Sequence, residues 1–176
     1  MIKISCDIDG VLANFDGGYL RRFGKWPKCD WVITRNVTYI LSKEKEFWLN
    51  LDVLNTLNFI PSCYCSARVN KVEWTQEYLD NHDFPKAPLY QIPGYKLSKA
   101  NCLNGRCDVH IEDSMKNFLD LNKKGIPCLY YNPDINCNPI LHITSLDYYE
   151  IEEVYSLGKE NNIFNNFKYY ETLFSL

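Results

Sequence analysis

The chain has 176 residues, 46% of them hydrophobic and 23% charged, which excludes disorder and bounds the fold to one globular domain with room for a small insertion. Its 22 acidic and 19 basic residues leave a net charge of −3 without any Lys/Arg run able to track a nucleic-acid backbone, which argues against a duplex-coating protein.

Strand-like and helix-like segments alternate, the pattern of βα units around a mainly parallel sheet. Ile2 to Cys6 is a short β-prone run that ends in Asp7, Asp9 and Gly10. Asn14 to Phe23 predicts a helix, and residues 24 to 41 read as irregular. Ser42 is placed as the N-cap of a second helix carrying Phe47, Trp48, Leu51 and Leu54 at helical spacing. Ser62 to Cys65 predicts a strand ending at Ser66, and Val69 to Asn81 a helix with Val72, Gln76 and Leu79 on one side. Leu89 to Ile92 is a strand, Leu97 to Leu103 a short helix, and Asp108 to Ile111 a strand ending at Glu112 and Asp113. The next helix places Met115, Phe118, Leu119 and Asn122 on its buried stripe and stops at Gly125, with Pro127 beyond it. Cys128 to Tyr131 is a fifth strand, and Ile163, Phe167, Tyr170 and Phe174 are spaced as an amphipathic C-terminal helix.

No stretch approaches the roughly 20 apolar residues of a membrane span, and Ile2 to Cys6 leads straight into the fold, so the expectation is a cytoplasmic protein with no membrane partner. The eight Cys are read as buried thiols, because Cys63-x-Cys65 and Cys102-x4-Cys107 lack the paired spacing of zinc sites. Four Trp, 13 Tyr and nine Phe make up 15% of the chain, more ring area than a core of this size needs, so some should line a site or an interface.

Three strands end in polar groups that a parallel sheet would bring to one edge: Asp7 and Asp9 after the first, Ser66 after the second, Glu112 and Asp113 after the fourth. Several carboxylates packed together must take up protons or bind a cation, and Mg²⁺ suits a few carboxylates, waters and phosphate oxygens. The two aspartates of Asp7-Ile8-Asp9-Gly10 can divide their work between nucleophile and acid/base, and Gly10 allows a tight backbone whose amides hold an anion.

The run from Cys6 to Phe15, Asp-Ile-Asp-Gly-Val-Leu-Ala-Asn within it, resembles the first motif of the haloacid dehalogenase superfamily of phosphohydrolases. Ser66 in Tyr64-Cys65-Ser66-Ala67-Arg68 is similar to the second motif, Lys99 to the third, and the acidic pair Glu112-Asp113 to the fourth. The resemblance spans roughly residues 1 to 146, and the nearest branch is that of the 5′(3′)-deoxyribonucleotidases. It implies a Rossmann-like three-layer sandwich over 1–146 with a small helical C1-type cap insertion over about 14–58; beyond it, the spacing of apolar residues predicts a helical extension over 147–176.

The resemblance further implies a Mg²⁺-dependent phosphomonoesterase acting on a nucleotide or similarly small phosphate ester. Asp7 would attack phosphorus and Asp9 would act as acid and base. Ser66, Ala67, Gly10 and Lys99 would hold the phosphoryl group. Asp7, Asp9 through its carbonyl, and Asp113 would hold the metal, with the longer Glu112 reaching it through water. Lys96 is the alternative to Lys99, which is preferred because it opens the short helix before the fourth strand.

In the cap, Phe15, Tyr19, Trp31 and Trp48 are candidate specificity residues that either stack a base or form the cap's own core; for Phe47 and Trp48 the core is favoured. Arg68 is open to two roles, contact with a second phosphate or a structural ion pair. The Tyr-rich tail either packs on the core or builds a homodimer interface. Two other functions compete with the small-ester phosphatase: a 3′-phosphatase acting on nucleic-acid ends, and a non-catalytic scaffold on the same fold.

Overall fold

The computed structural model describes residues 1–24, 37–93, 97–133 and 141–166. Six strands form one all-parallel sheet: β1 (Ile4–Cys6), β2 (Cys63–Ser66), β3 (Leu89–Gln91), β4 (Val109–Glu112), β5 (Cys128–Tyr131) and β6 (His142–Ile143). The order is β3-β2-β1-β4-β5-β6, flanked by helices as in a Rossmann-like three-layer sandwich. Every residue of β1, β2 and β4 is buried, the signature of central parallel strands covered on both faces. The register pairs Cys6 with both Tyr64 and Ile111, so the chain leaves β1, β2 and β4 at the same edge. Strand order reverses between β1 and β4, which makes that edge the switch point where α/β sheets bind ligands.

Helix α1 (Phe15–Phe23) starts on Asn14, whose side chain accepts from the Gly17 amide, and stops at Gly24 in the left-handed region. Residues 37–41 are helical too, in a stretch expected to be irregular. Ser42 does not open the next helix: its hydroxyl donates to the Tyr39 carbonyl and so closes the preceding turn. Helix α2 (Lys45–Leu49) therefore starts after Glu44 and is only five residues long, leaving Leu51 buried beyond its end and Leu54 exposed. Gly18 lets α1 approach this segment, because a Cβ there would lie 2.3 Å from Leu51 Cδ2. Trp31, and Phe167, Tyr170 and Phe174 of the expected C-terminal helix, lie outside the described residues.

Helix α3 (Val72–Asn81) buries Thr75, Tyr78 and Leu79, so the buried face is shifted from the expected stripe: it keeps Leu79 but leaves Gln76 half-covered and Val72 exposed. The reason is polar: the Thr75 hydroxyl donates to Gln91 Oε1, and Gln91 in turn donates to the Asn70 carbonyl, which ties the helix to β3. Helix α4 (Ala100–Leu103) is a single turn preceded by Lys99. Helix α5 (Met115–Lys123) buries Phe118, Leu121 and Asn122, with Met115 and Leu119 only half covered. The Asn122 side chain stitches it to β5, accepting from the Cys128 amide and donating to the Cys128 carbonyl.

The tail begins with α6 (Tyr148–Glu160), capped by Asp147, and it packs against β5 and β6 through Ile151 and Tyr155. Asn162 then adopts a positive φ of 52° and a 3₁₀ turn follows at Ile163–Asn165, so Ile163 does not start the expected α-helix. The six described cysteines are all free thiols, four of them buried.

Candidate active site

The loop after β1 is built to project two aspartates. Ile8, Val11, Leu12 and Ala13 are fully buried and pin it from below, while the Leu12 and Ala13 amides both donate to the Ile8 carbonyl. Gly10 turns the chain with a φ of +76°, and a Cβ there would lie 1.7 Å from Asp113 Oδ2, so glycine is required for both conformation and space.

Asp7 sits at the centre. Its amide extends the β1–β4 ladder to the Ile111 carbonyl and its Oδ1 accepts from the Ile8 amide at 2.7 Å. Lys99 Nζ lies 2.5 Å from Asp7 Oδ2 and 2.6 Å from Glu112 Oε2, with all three side chains buried. The other Glu112 oxygen accepts from the Ser114 amide. Glu112 is thereby hydrogen-bonded on both oxygens. Oxygens of Asp7, Glu112 and Asp113 all lie within 4.8 Å of one another.

Three carboxylates around one ammonium cannot all be comfortable as anions. Burial and the neighbouring Glu112 charge hold Asp7 well above the usual carboxylate range, against the pull of Lys99. The same two causes push Asp113 up to about 8. Glu112 is also penalised by burial, but Lys99 and His110 outweigh this and hold it below the ordinary range. Lys99, in turn, stays charged despite burial because Asp7 and Glu112 face it.

Asp7, Asp9, Gly10, Ser66, Ala67, Lys99, Glu112 and Asp113 line one cavity of about 390 Å³, roofed by Phe15, Tyr19, Leu41 and Trp48. Thus residues that end or follow β1, β2 and β4, the lysine that precedes α4, and rings from the segment between β1 and β2 meet at one place. Ser66 Oγ is fully buried at this lining without a hydrogen-bond partner among the described residues, a donor-acceptor group that a bound oxyanion would satisfy. Lys99, the preferred lysine, lies beside Asp7; Lys96 is outside the described residues.

Phe15 and Trp48 stack at 5.8 Å, and Phe47 meets both edge-on, at 5.9 and 5.1 Å. Trp48 is 2% exposed and donates from Nε1 to the Leu41 carbonyl, so it belongs to the cap's core while one surface lines the cavity. Phe47 is core alone.

Of the two roles open to Arg68 the structure shows the ion pair, and three further lining residues escaped the sequence reading. Arg68 does not line the cavity; its guanidinium turns inward and holds Asp9, from Nε at 3.1 and 3.0 Å and from Nη2 at 2.7 Å. Thr38, Asp16 and Asn117 also line the cavity, and nothing in their local sequence marks them.

No family model matches the chain, and no curated protein matches it either. Among the described residues no helix is long and apolar enough to cross a membrane.

Proposed function

We propose that the protein is a Mg²⁺-dependent phosphomonoesterase of the haloacid dehalogenase type, acting on a nucleotide or similarly small phosphate ester. The observation that carries the reading is the convergence of Asp7, Asp9, Ser66, Lys99 and Asp113 on one cavity at the switch-point edge of a parallel sheet. In this reading Asp7 attacks phosphorus and the bond to the leaving oxygen breaks as Asp9 supplies that oxygen with a proton. Asp9 then takes a proton from the water that cleaves the aspartyl-phosphate, help worth about 10² to 10⁴ in rate. Ser66 Oγ and Lys99 hold phosphoryl oxygens as charge builds on them.

The donor set fits a hard divalent cation: oxygen ligands only, with excess negative charge that Lys99 alone does not balance. Asp7 and Asp113 would hold it, with Glu112, which has an oxygen within 4.8 Å of theirs, reaching it through water. When bound, the ion screens the attack of one anion on another.

A linkage prediction follows for the metal-free protein. Asp113 binds its proton up to about pH 8 in the folded state, whereas an unfolded Asp releases it near pH 4. The folded state therefore holds more protons across that window, and stability falls as pH rises from about 4 to about 8. Asp7 acts in the same direction, and Glu112, held low, titrates below the window. Thermal melts in EDTA should show Tm falling over this range, with the fall reduced by Mg²⁺ and by Asp113→Asn. A Tm that is flat with pH, or Mg²⁺-independent, would remove the cation from the proposal.

The function itself is tested by phosphate release across nucleoside 5′- and 3′-monophosphates, sugar phosphates and 3′-phosphorylated oligonucleotides with Mg²⁺. Turnover of the small esters is expected. Preference for the oligonucleotide would replace this reading with an end-processing one, and inertness toward every ester would favour a scaffold.

A further inference from the structure

Arg68 is the least expected side chain of the site. It is 1% exposed, and its guanidinium lies over the Trp48 ring at 5.1 Å and over the Tyr78 ring at 5.4 Å, so a cap helix and a core helix both contribute to fixing its plane. Two of its three nitrogens go to Asp9, and the third, Nη1, is buried without a partner among the described residues. Asp9 has no other side-chain hydrogen-bond partner among the described residues, yet it is the more exposed member, 24% against 0%, and it lines the cavity.

Desolvating an Arg–Asp pair is costly, and such pairs are poor devices for stability alone. A planar fork held between two rings does something a mobile lysine cannot: it dictates the orientation of a carboxylate through both oxygens. A carboxylate has about four lone-pair positions, so those not taken by Arg68 are left for a proton transfer toward the cavity.

We propose that Arg68 is a positioning residue for proton transfer by Asp9, and that through Trp48 it couples the cap to the acid/base group. This rests on the phosphomonoesterase reading and deepens it. Arg68 touches no reacting atom; it holds Asp9 where a proton can pass to the leaving oxygen as its bond to phosphorus breaks and the bonding pair stays on oxygen. The residue should therefore matter in proportion to how badly the leaving group needs that proton.

The test compares first-turnover release of the alcohol from two esters in Mg²⁺. p-Nitrophenyl phosphate leaves as a stable phenolate, while an alkyl phosphate such as a nucleoside 5′-monophosphate leaves as an alkoxide that must be protonated. Arg68→Gln should cut the alkyl ester rate by about 10² or more, within the range of general acid catalysis, and p-nitrophenolate release by less than about tenfold. Arg68→Lys keeps the charge but not the fork and should show the same split, which guards against a glutamine variant that does not fold. In an Asp9→Asn background the Arg68 change should add less than about threefold, since the two act as one unit.

Equal losses on both esters, or full additivity with Asp9→Asn, would make Arg68 merely structural and overturn the proposal while leaving the phosphatase reading in place. Wild-type protein inert toward both esters would overturn the two together.

Discussion

Asp7→Asn should abolish phosphate release, by on the order of 10⁴-fold or more, while leaving the fold intact. On the proposed mechanism the size follows from removing the nucleophile, whose loss would disable the groups that act with it. The intact fold follows from the surroundings. Lys99 keeps its second partner, Glu112, at 2.6 Å, and the amide removes one charge from a cluster that already holds Asp7 well above the carboxylate range. Denaturant unfolding should place the variant within about 1 kcal/mol of wild type, as expected when no buried charge is stranded. Acid-quenched protein incubated with labelled ester should carry phosphate on Asp7 in the wild type and none in the variant. Activity within tenfold of wild type would remove Asp7 as the nucleophile.

The parts of the site that were legible in the sequence share a physical property: each follows directly from a strand end. Parallel strands that lie side by side deliver whatever comes next to one edge, so Asp7, Ser66 and Asp113 are predictable once β1, β2 and β4 are recognised. Those strands were recognisable because short β-prone runs alternate with helical periodicity. β6 has two residues, too few for any period, and was invisible.

What was not legible is pairwise and long-range. Arg68 and Asp9 are 59 residues apart, and no local pattern distinguishes an arginine aimed inward from one in solvent. Glu112 reads as a metal ligand by position, but its pairing with Lys99 joins side chains 13 residues apart that no local pattern links. The face of α3 was misjudged for a related reason: apolarity picks out Val72, whereas burial goes to Thr75 because Gln91 and Asn70 are there to bond it. Ser42 is a good N-cap residue type that the chain uses instead to end a turn. In each case tertiary partners decided between readings that local chemistry left equal.

The largest effect on stability is expected at Lys99. Its ammonium is buried and lies between Asp7 and Glu112, so Lys99→Met leaves two buried carboxylates facing each other with no cation. Breaking a buried ion pair from one side typically costs about 3–5 kcal/mol, because the surviving charge keeps its desolvation penalty without its partner. The orphaned carboxylates have one escape, which is protonation. Glu112 is held low chiefly against its own burial by Lys99, so it should rise in the variant and bind a proton that wild type does not. Folded Lys99→Met then gains protons relative to its unfolded state, and its deficit should be smaller at pH 5 than at pH 8. Urea unfolding at the two pH values measures this directly. Pairing the change with Glu112→Gln removes the stranded charge and should recover a large part of the loss, a coupling that a double-mutant cycle reads as strong non-additivity. A deficit below about 1 kcal/mol, or one that does not shrink at low pH, would mean that Lys99 is not holding the cluster together, since exposed pairs give values of that size.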